Sequence, residues 1–415
     1  MIQIERHSIK GTEEIERLCN LSKLLYNKAN FYCRRCFFGR NKFPGRTEIV
    51  ALVRNEDYFN DFGNTKLPKQ ILLKLLGDWS NFFQALRAWG IDKSKFKRMP
   101  KPPGYKKQMN QVVFYTETIR MKPRKQGVIT PTNDCFKIES AHANNFKQVV
   151  ITPKTFGFIV EVSYEAETEK PKKKTAKQLR EQKSCFIDLG VNNLCAITSD
   201  QPGLKPVLIN GRIVKSINQW FNKNQCKTRA EKRYWRLENY FHHVSKLIVE
   251  YCKTNGISRI IIGKNDGWKQ GMNMGKKNNQ TFQSIPFYSL IQKITYKAAQ
   301  EGIDIVCNEE AYTSKASFFD GDDIPKHDKE HPTPEFSGKR KKRGLYETSK
   351  KMLLNADING SLNIGRKVIG DGLISIADRS VAATPVTINP LKCLTEVGLK
   401  WFAETTSKSR LVVQT

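Results

Sequence analysis

Hydrophobic positions along this chain change their period from one stretch to the next. Over residues 12–89 they recur every three or four. Ile15, Leu18, Leu21 and Leu25 mark one helix, with Thr12 as its N-cap and Glu13 and Glu14 in its first turn. A second helix starts near Pro68 and carries Ile71, Leu72, Leu75, Leu76, Trp79, Phe82, Phe83 and Leu86. At that spacing its aromatic residues read as a helix core rather than as a base-stacking platform. Between residues 112 and 165 the period drops to two, in VVFYTETIRM, GVITPT, QVVITP and FGFIVEVSYE. Short strands with turn residues between them predict a small antiparallel β-barrel or sheet. The opening MIQIERHSIKG also reads as a strand.

From residue 184 strands and helices alternate. Strands are predicted up to Asp188 and over 194–198 and 206–210. A helical stretch over 216–253 follows, then the strand RIIIG, a helix over 286–301 and a strand over 303–307. Three meandering strands and then helix-strand-helix-strand is the order of an RNase H-like fold. The predicted class is therefore α/β with added helical and all-β lobes. The expected division is a first strand (1–11), a helical lobe (12–108), a β lobe (109–165), a charged connector (166–183), an α/β domain (184–368) with an insert at 312–354, and a tail (369–415). Residues 384–397 read equally as a packed segment or as disorder.

Two aspartates stand out against this pattern. Asp188 follows the apolar Phe186 and Ile187 and precedes Gly190, so it sits at the mouth of a buried strand. Asp357 lies in NADING, where Ile358, Leu362, Ile364 and Val368 continue as a helix. Carboxylates gathered from distant sequence suit a divalent-metal site for phosphodiester hydrolysis.

The charge balance narrows the partner. There are 71 Lys and Arg against 40 Asp and Glu, a net of +31, which implies a polyanion because each neutralised phosphate releases counterions. No apolar run is long enough to span a bilayer, and nothing reads as a signal peptide or a basic membrane anchor. Ten cysteines are scattered, mostly among apolar neighbours, which is reduced, cytosolic usage rather than a disulfide framework. Cys33 and Cys36 form the one CxxC, which has no second pair near it and reads as structural. His327 and His331 in HDKEH read as a polar loop rather than a zinc site. In KSKFKRMPKPPGYKKQ (93–108), Phe96 and Tyr105 interleave with cations as in loops that contact nucleic acid. The run Lys339, Arg340, Lys341, Lys342 and Arg343 suits backbone phosphates.

As a set, DLGVNN, IIIGKNDGWKQGMNMGKKNNQTFQSIPF, EEAYTSKASF, FSGKR and NADINGSLNI resemble the TnpB proteins of IS200/IS605-type transposons and the compact type V CRISPR effectors. Those are RNA-guided DNA endonucleases. The resemblance is dense over 184–368 and looser upstream, where a helical lobe precedes a strand-rich one. It implies a RuvC nuclease domain, a helical recognition lobe and a wedge barrel, the last two holding guide RNA and reading a short motif beside the target.

The family's RuvC site takes an Asp from DLG, a Glu after the fourth strand and an Asp from NADxNG. Asp188 and Asp357 match, but Gly263 stands where the glutamate is expected. The fifth strand lies beside the fourth, about 4.8 Å away, so Glu309 or Glu310 can reach the same point; strand alternation lets only one face it. Asp266 is a weaker candidate in a turn. The resemblance favours Glu310, since some TnpB subfamilies with Gly at the usual position carry their glutamate there. It further implies two Mg²⁺ or Mn²⁺ ions on Asp188, Glu310 and Asp357, and a cytoplasmic, nucleoid-associated prokaryotic protein. Guide RNA and target DNA would be its partners, with no membrane. The four-cysteine zinc ribbon common in the family is missing over 312–354, so no structural zinc is expected. Lys93, Lys95, Lys97, Arg98, Tyr105, Lys172, Lys173 and Lys174 become candidate guide or heteroduplex contacts. Lys264, Lys269 and Lys276 become candidate contacts to substrate phosphates. Two rival functions fit less of the pattern: a nuclease-inactive RNA-guided DNA-binding regulator, motivated by Gly263, and an RNA-independent transposon-associated nuclease.

Overall fold

A computed structural model describes residues 2–166, 182–264, 276–325, 334–342 and 344–392. Lys172, Lys173, Lys174, Asp266, Lys269, His327, His331 and Arg343 lie outside the described residues. The chain divides into two compact units, Met1–Glu167 and Thr168–Thr415. Together they make a mixed α/β architecture with helical and sheet lobes.

In the first unit, β1 (Ile2–Ile9) precedes α1 (Glu13–Phe38), α2 (Arg46–Val53), α3 (Asp57–Asn60) and α4 (Lys66–Ile91). The Thr12 side chain caps α1 by accepting from the Ile15 backbone N–H at 3.3 Å. The apolar faces of α1 and α4 meet around Trp79, whose indole N–H donates to Asn30 Oδ1 at 2.9 Å. Trp79 and Phe82 are buried, so the aromatic stripe of α4 is core. After β2 (Val112–Tyr115) come α5 (Met121–Lys125), β3 (Val128–Ile129), β4 (Ile138–Glu139), β5 (Phe146–Lys154) and β6 (Gly157–Glu165). The main sheet runs β1-β6-β5-β2, with β3 and β4 a separate ribbon. This sheet is open, and the expected barrel does not close. Its four strands bury one face against the helices instead, in a core joining Leu25, Leu75 and Trp79 to Val149, Val160 and Val162.

The second unit is a six-stranded sheet with helices on both faces. Strands β7 (Ser184–Leu189), β8 (Asn193–Ser199) and β9 (Val207–Asn210) form an antiparallel meander. Helices α6 (Arg212–Lys223) and α7 (Lys227–Thr254) follow, divided where the apolar period lapses in the exposed Asn224, Gln225 and Cys226. The single helix expected over 216–253 is thus two. Strand β10 (Arg259–Gly263) lies parallel to β7. After α8 (Lys276–Gln283) and α9 (Phe287–Gln300), β11 (Asp304–Asn308) joins β10 in parallel. Ile260, Ile261 and Ile262 are all fully buried, as the near-continuous apolar run of a parallel strand covered on both faces demands. A three-stranded ribbon, β12 (Lys339–Lys342), β13 (Leu345–Glu347) and β14 (Leu353–Asn355), leads into α10 (Ala356–Ile369). Strand β15 (Val386–Ile388) pairs with β9 at the sheet edge, so that part of the 384–397 segment is packed, while 393–397 lie outside the described residues.

Strand alternation sorts the core into two layers. Cys185, Ile187, Ile260 and Ile262 face α7 and α9. Phe186 and Ile261 face α10, with Ile358, Leu362 and Ile364. On the α7–α9 side, Lys293 Nζ pairs with Glu238 Oε2 at 2.7 Å, both side chains nearly buried. Ser289 Oγ also donates to Glu238 Oε1 at 2.9 Å. Burial pushes the Glu238 carboxyl up, but Lys293 and Ser289 outweigh it and hold it below its ordinary value. The pair's contribution is therefore complete above the unfolded glutamate pKa of about 4.3 and fades as pH falls through the lower folded value. Lys293→Met should cost about 3–5 kcal/mol at pH 7 by stranding a buried carboxylate. Urea unfolding should find that deficit narrowing on acidification, as pH falls through the lowered folded value of Glu238; a deficit independent of pH would assign the loss to packing.

Candidate active site

The site is assembled where α10 meets the end of β7. Asn355 caps α10, its Oδ1 accepting from the Asp357 and Ile358 backbone N–H groups at 2.9 and 3.3 Å. Ser361, one turn on, donates to the Phe186 carbonyl at 2.9 Å and shares a hydrogen bond with Thr198. Two glycines permit this closeness. A Cβ on Gly360 would stand 2.7 Å from Asp188 Oδ2, and one on Gly365 would press into the Phe186 ring. Asp188 and Phe186, two apart on a strand, share a face. The helix thus lies on that face and brings Asp357 in its first turn to the carboxylate of Asp188.

The third carboxylate arrives from β11. Gly263 ends β10 opposite Asn308, and the Lys264 N–H donates to the Asn308 carbonyl at 2.8 Å. Two residues beyond, Glu310 turns back. Its Oε2 lies 2.9 Å from where a Gly263 Cβ would stand, and that Cβ would also overlap Ile364 Cδ1. The space freed by the missing side chain is filled by the neighbouring strand's carboxylate. Glu309 is held elsewhere, its Oε2 accepting from Lys367 Nζ at 2.8 Å.

Electrostatics registers the convergence. Burial, then the Glu310 and Asp357 carboxylates, push the Asp188 carboxyl well above the usual carboxylate range, while the Arg340 guanidinium pulls it back. Asn193 Nδ2 donates to Asp357 Oδ2 at 2.8 Å. Arg340 Nη2 stands 3.9 Å from Asp357 Oδ1, too long for a hydrogen bond. The β12–β13 register shifts between Arg340 and Lys342. Beside Asp357 a cleft of about 630 Å³ is lined by Asn193, Asn210, Arg212, Arg340 and Asn355. Among the described residues, no three His, Cys, Asp or Glu side chains form a ready metal cluster. The donors nonetheless fit a hard divalent cation: they are all oxygens, and their mutual repulsion at Asp188 is what a cation relieves.

The remaining candidates fall in several places. Lys93, Lys95, Lys97 and Arg98 are exposed after α4; Lys93 lies over Trp89 and Lys95 pairs with Asp92. Tyr105 is exposed beneath the Arg34 guanidinium. Cys33 is buried and Cys36 half-buried on α1. Lys264 lies over the Tyr288 ring at 5.8 Å. Lys276 opens α8. Lys339, Arg340, Lys341 and Lys342 form β12, all exposed, with Lys341 ion-paired to Glu347 at 2.8 Å. Sequence reasoning passed over Asn193 and Arg212. Asn193 was signalled by a polar residue opening an apolar strand; Arg212 carried no signal, because a turn alone brings it to the cleft.

Residues 287–364 match the family model described as Cas12f1-like, TNB domain. This is distant homology to a Cas12f1/TnpB-type nuclease domain. The matched stretch contains Glu310, Arg340 and Asp357. Two solved structures are similar to the chain at 12% identity: a Cas12f1–sgRNA–target DNA complex (TM-score 0.31; 88% of this chain, 98% of that one) and a CRISPR-Cas12f ternary complex (TM-score 0.30; 85% and 81%). No curated protein matches. Among the described residues no helix is long and apolar enough to cross a membrane.

The packing in front of Gly263 is tight enough to test. Gly263→Ala should cost about 1–3 kcal/mol through overpacking, and adding Ile364→Val should recover part of it in chemical denaturation. An Ala variant as stable as the parent would mean that the space is not closed.

Proposed function

We propose that this chain is an RNA-guided DNA endonuclease with a RuvC-type site in an RNase H-like domain. Asp188, Glu310 and Asp357 would hold two Mg²⁺ or Mn²⁺ ions. The observation that carries the reading is the repulsion that the Glu310 and Asp357 carboxylates exert on buried Asp188, with Asp357 lining a cleft that also bears Arg212 and Arg340. Bound ions would supply activation of water and stabilisation of the leaving 3′ oxygen, giving 5′-phosphate and 3′-hydroxyl ends. The chain's own groups do the rest. Asn193 fixes the Asp357 carboxylate by donating to one oxygen. Arg340, loosely paired with Asp357, is free to turn its planar fork onto a substrate phosphate. The Glu309–Lys367 pair anchors the turn that presents Glu310.

The net charge of +31 supports nucleic-acid partners held by backbone rather than by base-reading motifs. Exposed cations of the first unit, Lys93, Lys95, Lys97 and Arg98, are assigned to guide RNA or heteroduplex, as are Lys172, Lys173 and Lys174. Gly263 motivates the rival, a nuclease-inactive regulator, but the Glu310 carboxylate in the space before it supports cleavage.

The test uses purified protein with its copurifying RNA, Mg²⁺ and DNA complementary to that RNA's variable end. Cleavage should fall by more than about 100-fold in Glu310→Gln and Asp188→Asn, beyond the loss typical of outer-shell ligand partners. Glu309→Gln should retain most activity. Equal loss in the two glutamate variants would withdraw the assignment of Glu310, and tight binding without cutting by the wild type would favour the regulator.

A further inference from the structure

A second charged surface in this unit is left unused by the carboxylate site. Between Arg212 and Arg236 the chain has eight Lys and Arg against the single acid Glu231. On α6, Arg212, Ser216, Gln219 and Lys223 are exposed at intervals of four, three and four, which is one helix face. That face begins at the cleft, since Arg212 lines it together with Arg340 and Asp357. Its origin is pinned: the Gly211 N–H donates to the Asn192 carbonyl at 2.7 Å, and Tyr240 donates its hydroxyl to the Asn210 carbonyl.

About 12 Å further along α6 stands Trp220, half-buried. The guanidiniums of Arg236 and Arg229 lie 4.5 and 5.2 Å from its ring. Arg233, between them, is consumed internally by Asn218 and the Ser284 carbonyl, and so braces the hairpin. Among the described residues Arg229 and Arg236 have no carboxylate partner. They are oriented by an aromatic ring without being neutralised, so little ordering entropy remains to oppose an incoming anion. Tyr234, exposed, stands edge-on to Trp235 with ring centroids 5.0 Å apart. Cations interleaved with aromatic rings suit an unpaired strand, which offers bases as well as phosphates; a duplex offers mainly phosphates.

We propose that the outer face of α6 and the Trp220–Arg229–Arg236 cluster form a track for single-stranded nucleic acid leading to the cleft, and that its occupant is the DNA strand to be cut. The track rests on the proposed nuclease reading only for the identity of that strand. The test is metal-free, in EDTA, with the full-length protein. A photo-cross-linking residue at Gln219 should capture single-stranded DNA in preference to duplex or to RNA of the same sequence. Arg229→Gln/Arg236→Gln should lower the magnitude of the salt slope for single-stranded DNA by about 1.4, from about 0.7 per lost phosphate contact. Arg229→Lys/Arg236→Lys should keep the slope and lose affinity, a split that misfolding would not produce. No cross-link together with an unchanged slope would overturn the track. Preferential capture of RNA would overturn its assignment to the cut strand, and preferential capture of duplex its assignment to single strands. Cross-linking to DNA by a protein that never cleaves would instead count against the nuclease reading while leaving the track standing.

Discussion

Helix α10 can lie against the end of β7 because Gly360 and Gly365 have no side chains to hold it off. Everything at the site depends on that approach. Ser361 then bonds the Phe186 carbonyl across 175 residues of sequence, and Ile358, Leu362 and Ile364 seal the layer beneath. With the helix seated, its first turn carries Asp357 to Asp188, and Ile364 forms one wall of the space in front of Gly263. The same contact that completes the apolar layer therefore brings acidic groups together.

Bringing them together is costly. Asp188 is pushed toward its neutral form by burial and by two neighbouring carboxylates, with Arg340 as the opposing charge. A fold under selection for stability alone has no reason to keep such a cluster, because like charges in a low-dielectric setting repel strongly. Clusters of this kind mark functional sites more often than structural ones. Glu309 shows the alternative in the same turn: given Lys367 as a partner, it is an ordinary structural ion pair.

The sequence disclosed the parts of this arrangement that obey a local rule. The order of elements in the second unit as far as β11 followed from alternating periods, and Asp188 and Asp357 were visible as lone acids in apolar surroundings. Glu309 and Glu310 could not be separated by residues alone, because alternation says only that one of them faces inward; the partner that occupies Glu309 lies on α10, 58 residues away. Barrel and sheet could not be told apart, since period-two patterning does not reveal whether a sheet curls on itself or rests on helices. The split between α6 and α7, which creates the Trp220 cluster, was hidden by apolar residues whose spacing continues on both sides of a short polar gap. Arg212 and β15 depend on tertiary placement and left no local trace.

The proposed chemistry turns on Asp188, Glu310 and Asp357 sharing a divalent cation. Crystals of the protein grown with saturating Mn²⁺, measured at the manganese absorption edge, test it most directly. The expected result is anomalous density bonded to these three carboxylates, with Glu309 still paired to Lys367. Density ligated through Glu309, or none between the three groups, would contradict it.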